Sequence, residues 1–194
     1  MTEKRRRGAE LEQAIFAATN AILKEEGFEQ LSFQKVAERA GTSKPVLYRR
    51  WASTFELVLA AIREPAVRIN GRFTDFEPTG ASLADDLLQM LLRFSDVISE
   101  YGNTYLQIVL TEISRNSDRR GIFEFGERGD IQVMTRILKR ATDRGETVRS
   151  DVSESAMLLP FTQARYAALV RGHVMSADEL AQLVTEILLP VYLK

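Results

Sequence analysis

The sequence predicts an all-α fold of about nine helices, and three observations support this. Only 11 glycines and 5 prolines interrupt the 194 residues, and no stretch sustains the two-residue alternation of a half-buried strand. Apolar residues instead recur every three or four positions, as at Leu11, Ile15, Ala18 and Ile22. A hydrophobic fraction of 45% beside a charged fraction of 27% is typical of a globular chain rather than a disordered one.

The first helices are separated by turns whose residues favour a reversal of the chain. Gly27 follows the first apolar stripe and is expected to end that helix. Ser32 is placed to cap a second helix over Phe33–Ala40, because its hydroxyl can accept a backbone N–H of the first turn. Gly41 then ends this helix, since a residue without Cβ adopts the left-handed backbone of a tight turn.

A third helix is predicted over residues 44–51, with Ser43 as its cap and Pro45 in its first turn. The short connection makes the second and third helices cross steeply, as in a helix-turn-helix, and Ala37 and Gly41 are small where the backbones approach. This pattern predicts DNA binding through a major groove, with a solvated basic face as the alternative. The outward side chains that donate to phosphates and base edges are Lys44, Tyr48, Arg49 and Arg50.

Charges are unevenly distributed along the chain. Residues 1–51 hold ten Lys or Arg and seven Asp or Glu, and the remaining residues hold sixteen and twenty, which gives the net charge of −1. Four of the basic residues form an arm at 4–7. A basic end on an acidic body is typical of DNA-binding proteins, although basic N-terminal tails are often only solvated.

After a fourth helix that carries Leu57 and Ala61, the composition predicts a loop at 69–80 and further helices. These helices are predicted at 82–101, 104–114, 119–144, 153–171 and 176–193, with Gly102 as one break. Pro160 is expected to kink or divide the helix that contains it. We assign residues 1–54 to a helix-turn-helix DNA-binding domain and residues 55–194 to a helical ligand-binding and dimerisation domain.

The segment at 31–53, LSFQKVAERAGTSKPVLYRRWAS, resembles the DNA-binding signature of the tetracycline-repressor (TetR) family of bacterial regulators. The first helix, which ends in Gly27-Phe28, is similar to that family as well. The corner DRGETVRSDV resembles the boundary between the seventh and eighth helices of many members. The resemblance is specific over roughly the first third of the chain, and it implies a homodimeric, ligand-responsive transcriptional regulator.

The resemblance also implies which residues contact DNA. Tyr48 matches a phosphate-contacting tyrosine, and Val46 matches a position that touches bases, although it can also serve packing. Members usually carry a phosphate-binding lysine where this chain has Thr54, so the basic arm is the expected compensation. Trp51 is expected to pack against the first and fourth helices. The full predicted set is Gln34, Thr42, Ser43, Lys44, Pro45, Val46, Tyr48, Arg49, Arg50, Thr54, Arg6 and Arg7.

The last two helices are predicted to form a dimer interface. The final helix has a broad apolar face, and alanines on the preceding helix allow a second copy to approach closely. The alternative is that these side chains belong to the core of a single subunit. The predicted interface residues are Ala164, Ala168, Leu180, Leu183, Val184, Ile187, Leu188 and Val191.

A ligand pocket is predicted between the central helices, because such sites are mostly apolar with a few polar anchors. The candidates are Met90, Phe94, Tyr105, Ile108, Glu112, Phe123, Met134, Met157, Phe161 and Arg165. Glu112 and Arg165 are the anchors, unless they face solvent or form ion pairs. A small apolar or amphipathic effector would release a repressor from a near-palindromic operator. The alternative is a dimeric regulator without a small ligand, controlled by a protein partner or by its abundance.

Catalysis and metal binding have little support in the sequence. The chain has no cysteine and only one histidine, His173, so the usual nucleophiles and thiolate metal sites are missing. The glycines at 121, 126 and 129 follow no predicted strand and form no nucleotide fingerprint, and Asp86 near a helix start suits the helix dipole. We therefore expect no cofactor, no metal and no catalytic residue. No signal peptide and no membrane span is predicted, so the cytoplasm is the expected location.

Overall fold

The computed structural model describes the backbone of residues 8–115 and 121–194. It describes their side chains except at 65, 66, 68–70, 100–106, 113 and 121–125. The predicted DNA contacts Arg6 and Arg7, and the predicted pocket side chains Tyr105 and Phe123, lie outside the described residues. The chain forms two compact units, Met1–Ile69 and Asn70–Lys194. The all-α prediction is confirmed, and within the described ranges the only β-type pairing is an isolated bridge between Val148 and Leu193.

The first unit consists of four α-helices and one short 3-10 turn. These are α1 (Ala9–Glu26), the turn Phe28–Gln30, α2 (Phe33–Ala40), α3 (Lys44–Tyr48) and α4 (Thr54–Asn70). The second helix has the predicted bounds, because both of its ends are encoded locally. The Ser32 Oγ accepts the Lys35 backbone N–H at 3.3 Å, and Gly41 adopts a left-handed φ of 65°.

The third helix is shorter than the sequence predicts. It ends at Tyr48 rather than at residue 51, and Arg49 and Arg50 form the turn that follows it. The Arg50 and Trp51 N–H groups both donate to the Leu47 carbonyl, at 2.9 and 3.0 Å, and this closes the turn. Ser43 is the N-cap residue of α3, as predicted, and its backbone is extended, but its hydroxyl accepts no capping hydrogen bond.

The core of the first unit joins all four helices. Ile15 of α1, Val36 of α2, Leu47 of α3 and Leu57 of α4 are each fully buried. Trp51 packs on Phe16 of α1 with ring centroids 5.8 Å apart, so its expected packing against the first helix is confirmed. Because one face of α3 packs against this core, only its opposite face is accessible to solvent.

The second unit begins with a 3-10 turn (Phe73–Asp75), which lies in the predicted loop. The elements that follow are α5 (Leu83–Arg115), α6 (Gly121–Asp143), α7 (Glu154–Leu169), α8 (Ala177–Leu183), a π-helical turn (Val184–Leu188) and α9 (Leu189–Tyr192). None of the described helices is both long enough and apolar enough to cross a membrane.

The helices of the second unit can be compared with the prediction at three places. The break at Gly102 is wrong, since α5 continues through it; one helical glycine costs only about 1 kcal/mol. Pro160 lies inside α7 and does not divide it. The last predicted helix is not uniform, because its middle adopts a π-helical turn in which the Thr185 hydroxyl donates to the Ala181 carbonyl at 3.0 Å.

A buried carboxylate connects the segment before α5 to the end of α6. Asp86 is completely buried and accepts the Gly80 N–H at 2.8 Å and the Arg144 guanidinium at 2.7 Å. Arg144 also donates to Glu146, and both Glu146 carboxylate oxygens accept the Leu83 N–H. Asp86 lies in the first turn of α5, as predicted, and it is in addition the centre of an ion-pair network that the sequence did not indicate.

Gly80 is required by this network because there is no space for a side chain. A Cβ at this position would lie 2.5 Å from the Asp85 Cβ and 2.9 Å from the Asp86 backbone nitrogen. Gly80→Ala is therefore expected to lower the free energy of unfolding by about 1–3 kcal/mol, as overpacked sites do. Urea-induced unfolding followed by circular dichroism measures the change.

Gly126→Ala is the matched control, since a Cβ there meets nothing within 4 Å and lies within α6. Alanine has the higher helix propensity, so this variant should be unchanged or more stable by up to about 1 kcal/mol. Equal stability of the Gly80→Ala and Gly126→Ala variants would contradict the assignment of Gly80 to a sterically closed site.

Candidate nucleic-acid interface

The helix α3 divides its side chains between the core and the surface. Val46 is 9% exposed and Leu47 is fully buried, whereas Lys44, Pro45 and Tyr48 are exposed. For Val46, the structure thus favours the packing role over the predicted base contact. The exposed face is presented by a helix whose position is fixed by the core of the first unit.

Tyr48 is an exposed aromatic side chain on this face, with 56% of its surface accessible. Its ring packs edge-on against Phe33 of α2 with centroids 4.7 Å apart, and the Lys44 ammonium lies 5.9 Å from the ring centroid. Contact on two sides restricts the ring, although the residue is mostly exposed. In the described part of the chain the hydroxyl has no hydrogen-bond partner, so it is available to a phosphate oxygen.

Carboxylates of α1 neutralise several cations of the first unit. Arg39 donates two hydrogen bonds of 2.6 Å to Glu25, and this contact lowers the pKa of the Glu25 carboxyl. Lys35 contacts Glu26 at 2.6 Å. Arg50 contacts Glu12 at 3.1 Å through one nitrogen only. Basic residues near α3 are therefore not equally free to meet an external anion.

Lys44 and Arg49 differ from the paired cations. Both are exposed, and neither forms an ion pair with any described residue. Guanidinium and ammonium groups are the commonest donors to phosphate oxygens and to guanine edges. Lys44 in α3 and Arg49 in the turn after it are therefore exposed cations that no described carboxylate neutralises.

The other residues predicted to contact DNA surround α3 with different exposures. Gln34 is exposed and donates to the Glu38 carboxylate, and Ser43 is exposed, whereas Thr42 is half-buried. Thr54 is half-buried at the first residue of α4, whose start is capped by the Ser53 Oγ accepting the Glu56 N–H at 3.2 Å. The loss of charge at Thr54 is not replaced within α4's first turn.

In the second unit, several of the predicted pocket residues are packed core. Met90, Met134 and Phe161 are fully buried, and Phe94 and Ile108 are nearly so. The rings of Phe73, Phe94 and Phe161 meet edge-to-face, with centroid separations of 5.0 to 5.7 Å. Met157 is half-buried against the same core. The centre of this unit is filled by side chains.

The two predicted polar anchors are both ion-paired. Glu112 lies 3.9 Å from Arg115. Arg165 contacts Asp130 at 2.5 Å, and its guanidinium lies 5.1 Å from the Phe94 centroid. Burial raises the pKa of the Asp130 carboxyl, and the Arg165 charge opposes that rise. Asp130 was not predicted as a functional residue. The available signal was its position three and four residues before the buried Val133 and Met134.

The structure corrects the predicted dimer interface at most of its positions. Six of the eight residues are at most 6% exposed within one subunit, so they belong to its own core: Ala164, Ala168, Leu180, Leu183, Val184 and Leu188. Ile187 is 45% exposed, and Val191 is half-buried. Tyr166, Val170 and Val174 are exposed apolar side chains that the sequence analysis did not single out.

Comparison with known proteins agrees with this geometry. Residues 15–61 match the model of the "Bacterial regulatory proteins, tetR family". An uncharacterised HTH-type transcriptional regulator of Mycobacterium tuberculosis is 29% identical over 184 residues, which cover 92% of this chain and 86% of that protein.

Two solved structures are similar over nearly the whole chain. GusR of Salmonella enterica has a TM-score of 0.68 at 22% identity, with 96% of this chain and 99% of that chain covered. The SmeT–triclosan complex has a TM-score of 0.63 at 22% identity, with 96% and 93% covered; SmeT is the repressor of a Stenotrophomonas maltophilia multidrug efflux pump. Residues 15–61, which contain the helix-turn-helix and the exposed α3 face, thus match the DNA-binding domain of the tetR family of bacterial regulatory proteins, and the whole chain is similar to HTH-type transcriptional regulators.

Proposed function

We propose that this chain is a homodimeric repressor that acts in the cytoplasm, binds a near-palindromic operator and is released by a small apolar or amphipathic effector. The observation that carries the proposal is the exposed surface of α3 and of the turn after it, where Tyr48 lies beside the unpaired cation Lys44 and is followed by the unpaired, exposed Arg49. Each subunit places this face in one major groove, and the two grooves are about 34 Å apart along the operator.

The residues of this face have separate roles in the proposal. Arg49 and Lys44 donate to base edges or phosphates, because both donors are free and exposed. The Tyr48 hydroxyl donates to a phosphate oxygen and thereby fixes the register of α3 on the duplex. Gln34 and Thr42, at the edge of the surface, complete the backbone contacts.

Substitutions on this face test the proposed interface. Arg49→Ala is expected to weaken operator binding by about 1–3 kcal/mol, because it removes a base or phosphate contact. Tyr48→Phe should weaken it by about 1 kcal/mol, since only one hydrogen bond is lost and the contact with Phe33 remains. Both affinities are measured by fluorescence anisotropy on a duplex selected from genomic fragments that the wild-type protein retains.

Lys139→Ala is the control, because Lys139 is an exposed cation of the second unit. It should bind the duplex like the wild type. If the Tyr48 and Arg49 variants also did so, α3 would be the wrong recognition helix and the proposed interface would be withdrawn.

A dimer is proposed on the exposed apolar side chains of α7 and the π-helical turn. Tyr166 and Val170 are four residues apart and share one face of the helical end, with exposures of 46% and 66%, and Ile187 is 45% exposed. Such side chains favour burial against a second copy, because exposed apolar patches mark association surfaces. In a dimer with two-fold symmetry, both subunits contribute the same surface, so each of these side chains occurs twice in the interface.

Ile187→Arg is therefore expected to shift the protein to monomers, since two buried charges replace two apolar contacts at a cost of about 2 kcal/mol or more each. Sedimentation velocity measures the shift. Leu110→Arg, at a leucine of α5 that is 43% exposed, is the matched control and should stay dimeric. Monomers from both variants, or from neither, would contradict this choice of face.

The effector is proposed to bind beside the Arg165–Asp130 pair, where α5, α6 and α7 meet. The guanidinium there lies against the faces of Phe94 and Phe161, so a polar group and an apolar body could be accommodated together. The SmeT–triclosan complex supports an apolar phenol as the first compound to test.

Triclosan is expected to dissociate the protein–operator complex, and a hundredfold loss of affinity corresponds to a coupling of about 2.7 kcal/mol. Anisotropy titrations measure the loss. Arg165→Ala should reduce the response, whereas Lys139→Ala, which alters an exposed cation of α6, should not.

A regulator without a small ligand is the second candidate function. One observation favours it, because the centre of the second unit is occupied by the fully buried side chains of Met90, Met134 and Phe161. Under this alternative, triclosan and a panel of other small apolar compounds leave both the operator complex and the melting temperature unchanged, and a protein partner or protein abundance sets the occupancy of the operator.

A further inference from the structure

Arg50 is held more loosely than Arg39, which is also paired with a carboxylate of α1. Its Nη1 contacts the Glu12 Oε1 at 3.1 Å, and no second hydrogen bond joins the two side chains. Arg39, in contrast, donates two hydrogen bonds of 2.6 Å to Glu25. A guanidinium has five N–H donors, so the single contact leaves most of the Arg50 donor capacity to another anion.

The surroundings of the pair allow an exchange of partners. The Arg50 and Glu12 side chains are 35% and 44% exposed, and exposed ion pairs contribute little to stability. Both residues line an open cleft together with Gly8, Ala9 and Trp51. Trp51 is buried against Phe16 in the core, so the backbone next to Arg50 is fixed while the guanidinium can change its partner.

We infer that Glu12 is a positioning residue for DNA binding that acts as an internal competitor of the DNA phosphate. In the free protein its carboxylate occupies Arg50, and a phosphate must displace that carboxylate when α3 enters the groove. This inference rests on the proposed function, in which the α3 surface is the DNA interface.

The consequence is that the affinity for the DNA backbone is lower and depends less on salt. A protein that neutralises phosphates with free cations releases counterions, and its affinity falls steeply with salt. When the cation already has an internal carboxylate, the local net charge is close to zero and fewer counterions are released. Glu12 and the uncharged Thr54 act in the same direction, and both shift the balance of binding towards the contacts of Lys44 and Arg49.

Glu12→Gln tests the inference on a short random-sequence duplex, because a phosphate contact does not depend on base sequence. We expect up to about fivefold tighter binding at low salt, the most that an exposed pair withholds. The slope of log affinity against log salt, measured between about 50 and about 200 mM, should steepen by up to about 0.9 for each subunit bound.

Two further variants separate this role from a general charge effect. Glu25→Gln changes the charge of α1 by the same amount at the tightly held Arg39 pair, and it should steepen the slope less. In an Arg50→Gln background, Glu12→Gln should no longer change the slope, since its partner is missing. A gain that persists without Arg50, or that equals the gain from Glu25→Gln, overturns the inference.

The outcome remains distinguishable from failure of the proposed function. If Arg49→Ala weakens binding while Glu12→Gln changes neither affinity nor slope, the α3 interface stands and the role of Glu12 is rejected. If Tyr48→Phe and Arg49→Ala bind like the wild type, the proposed interface itself fails, whatever Glu12 does.

Discussion

The second unit depends on one buried carboxylate, that of Asp86. Its burial is unfavourable unless every oxygen is paired, and Gly80 and Arg144 supply the partners. Arg144 is in turn held by Glu146, which accepts the first free N–H of α5 at Leu83. Removing one partner of a buried pair costs about 3–5 kcal/mol because the other charge stays unpaired. The network therefore fixes the start of α5 against the end of α6, and the apolar packing between these helices follows from that register.

The same face of α6 holds the irregular segment that precedes α5. Arg136, Arg140 and Arg144 are spaced by four residues, so they lie on one side of the helix. Arg136 donates to the carbonyls of Thr74 and Phe76, and Arg140 donates to the Gly80 carbonyl. These guanidinium groups supply the hydrogen bonds that the backbone carbonyls would otherwise receive from N–H groups in a strand or helix. A segment without regular structure thus has a defined path, and Phe73 can join Phe94 and Phe161 in the core.

Local signals were sufficient for some elements and insufficient for others. The bounds of α2 could be predicted because Ser32 and Gly41 act within one turn of the chain. The buried roles of Asp86 and Asp130 could not, since their partners Arg144 and Arg165 are 58 and 35 residues away in sequence. An apolar stripe in the sequence also does not reveal whether it packs within its own subunit or against a second one. The spacing of Leu180 and Leu188 is compatible with a dimer contact, but both are buried within their own subunit. The exposed surface of α3 was predictable, because a tyrosine hydroxyl and neighbouring charged side chains are rarely buried in an apolar core.

Helix α1 has two functions in the first unit, and its two faces separate them. Its apolar face, with Ile15 and Ile22 buried, supports the core that positions α3. Its acidic face supplies Glu12, Glu25 and Glu26, which neutralise Arg50, Arg39 and Lys35. An exposed carboxylate near a DNA surface lowers affinity for every sequence alike, whereas a base contact favours one sequence. In the proposed interface, a modest hold on the DNA backbone suits a regulator that is released from its operator. The carboxylates of α1 would limit that hold, since they leave Lys44 of α3 and Arg49 of the following turn as the unpaired cations.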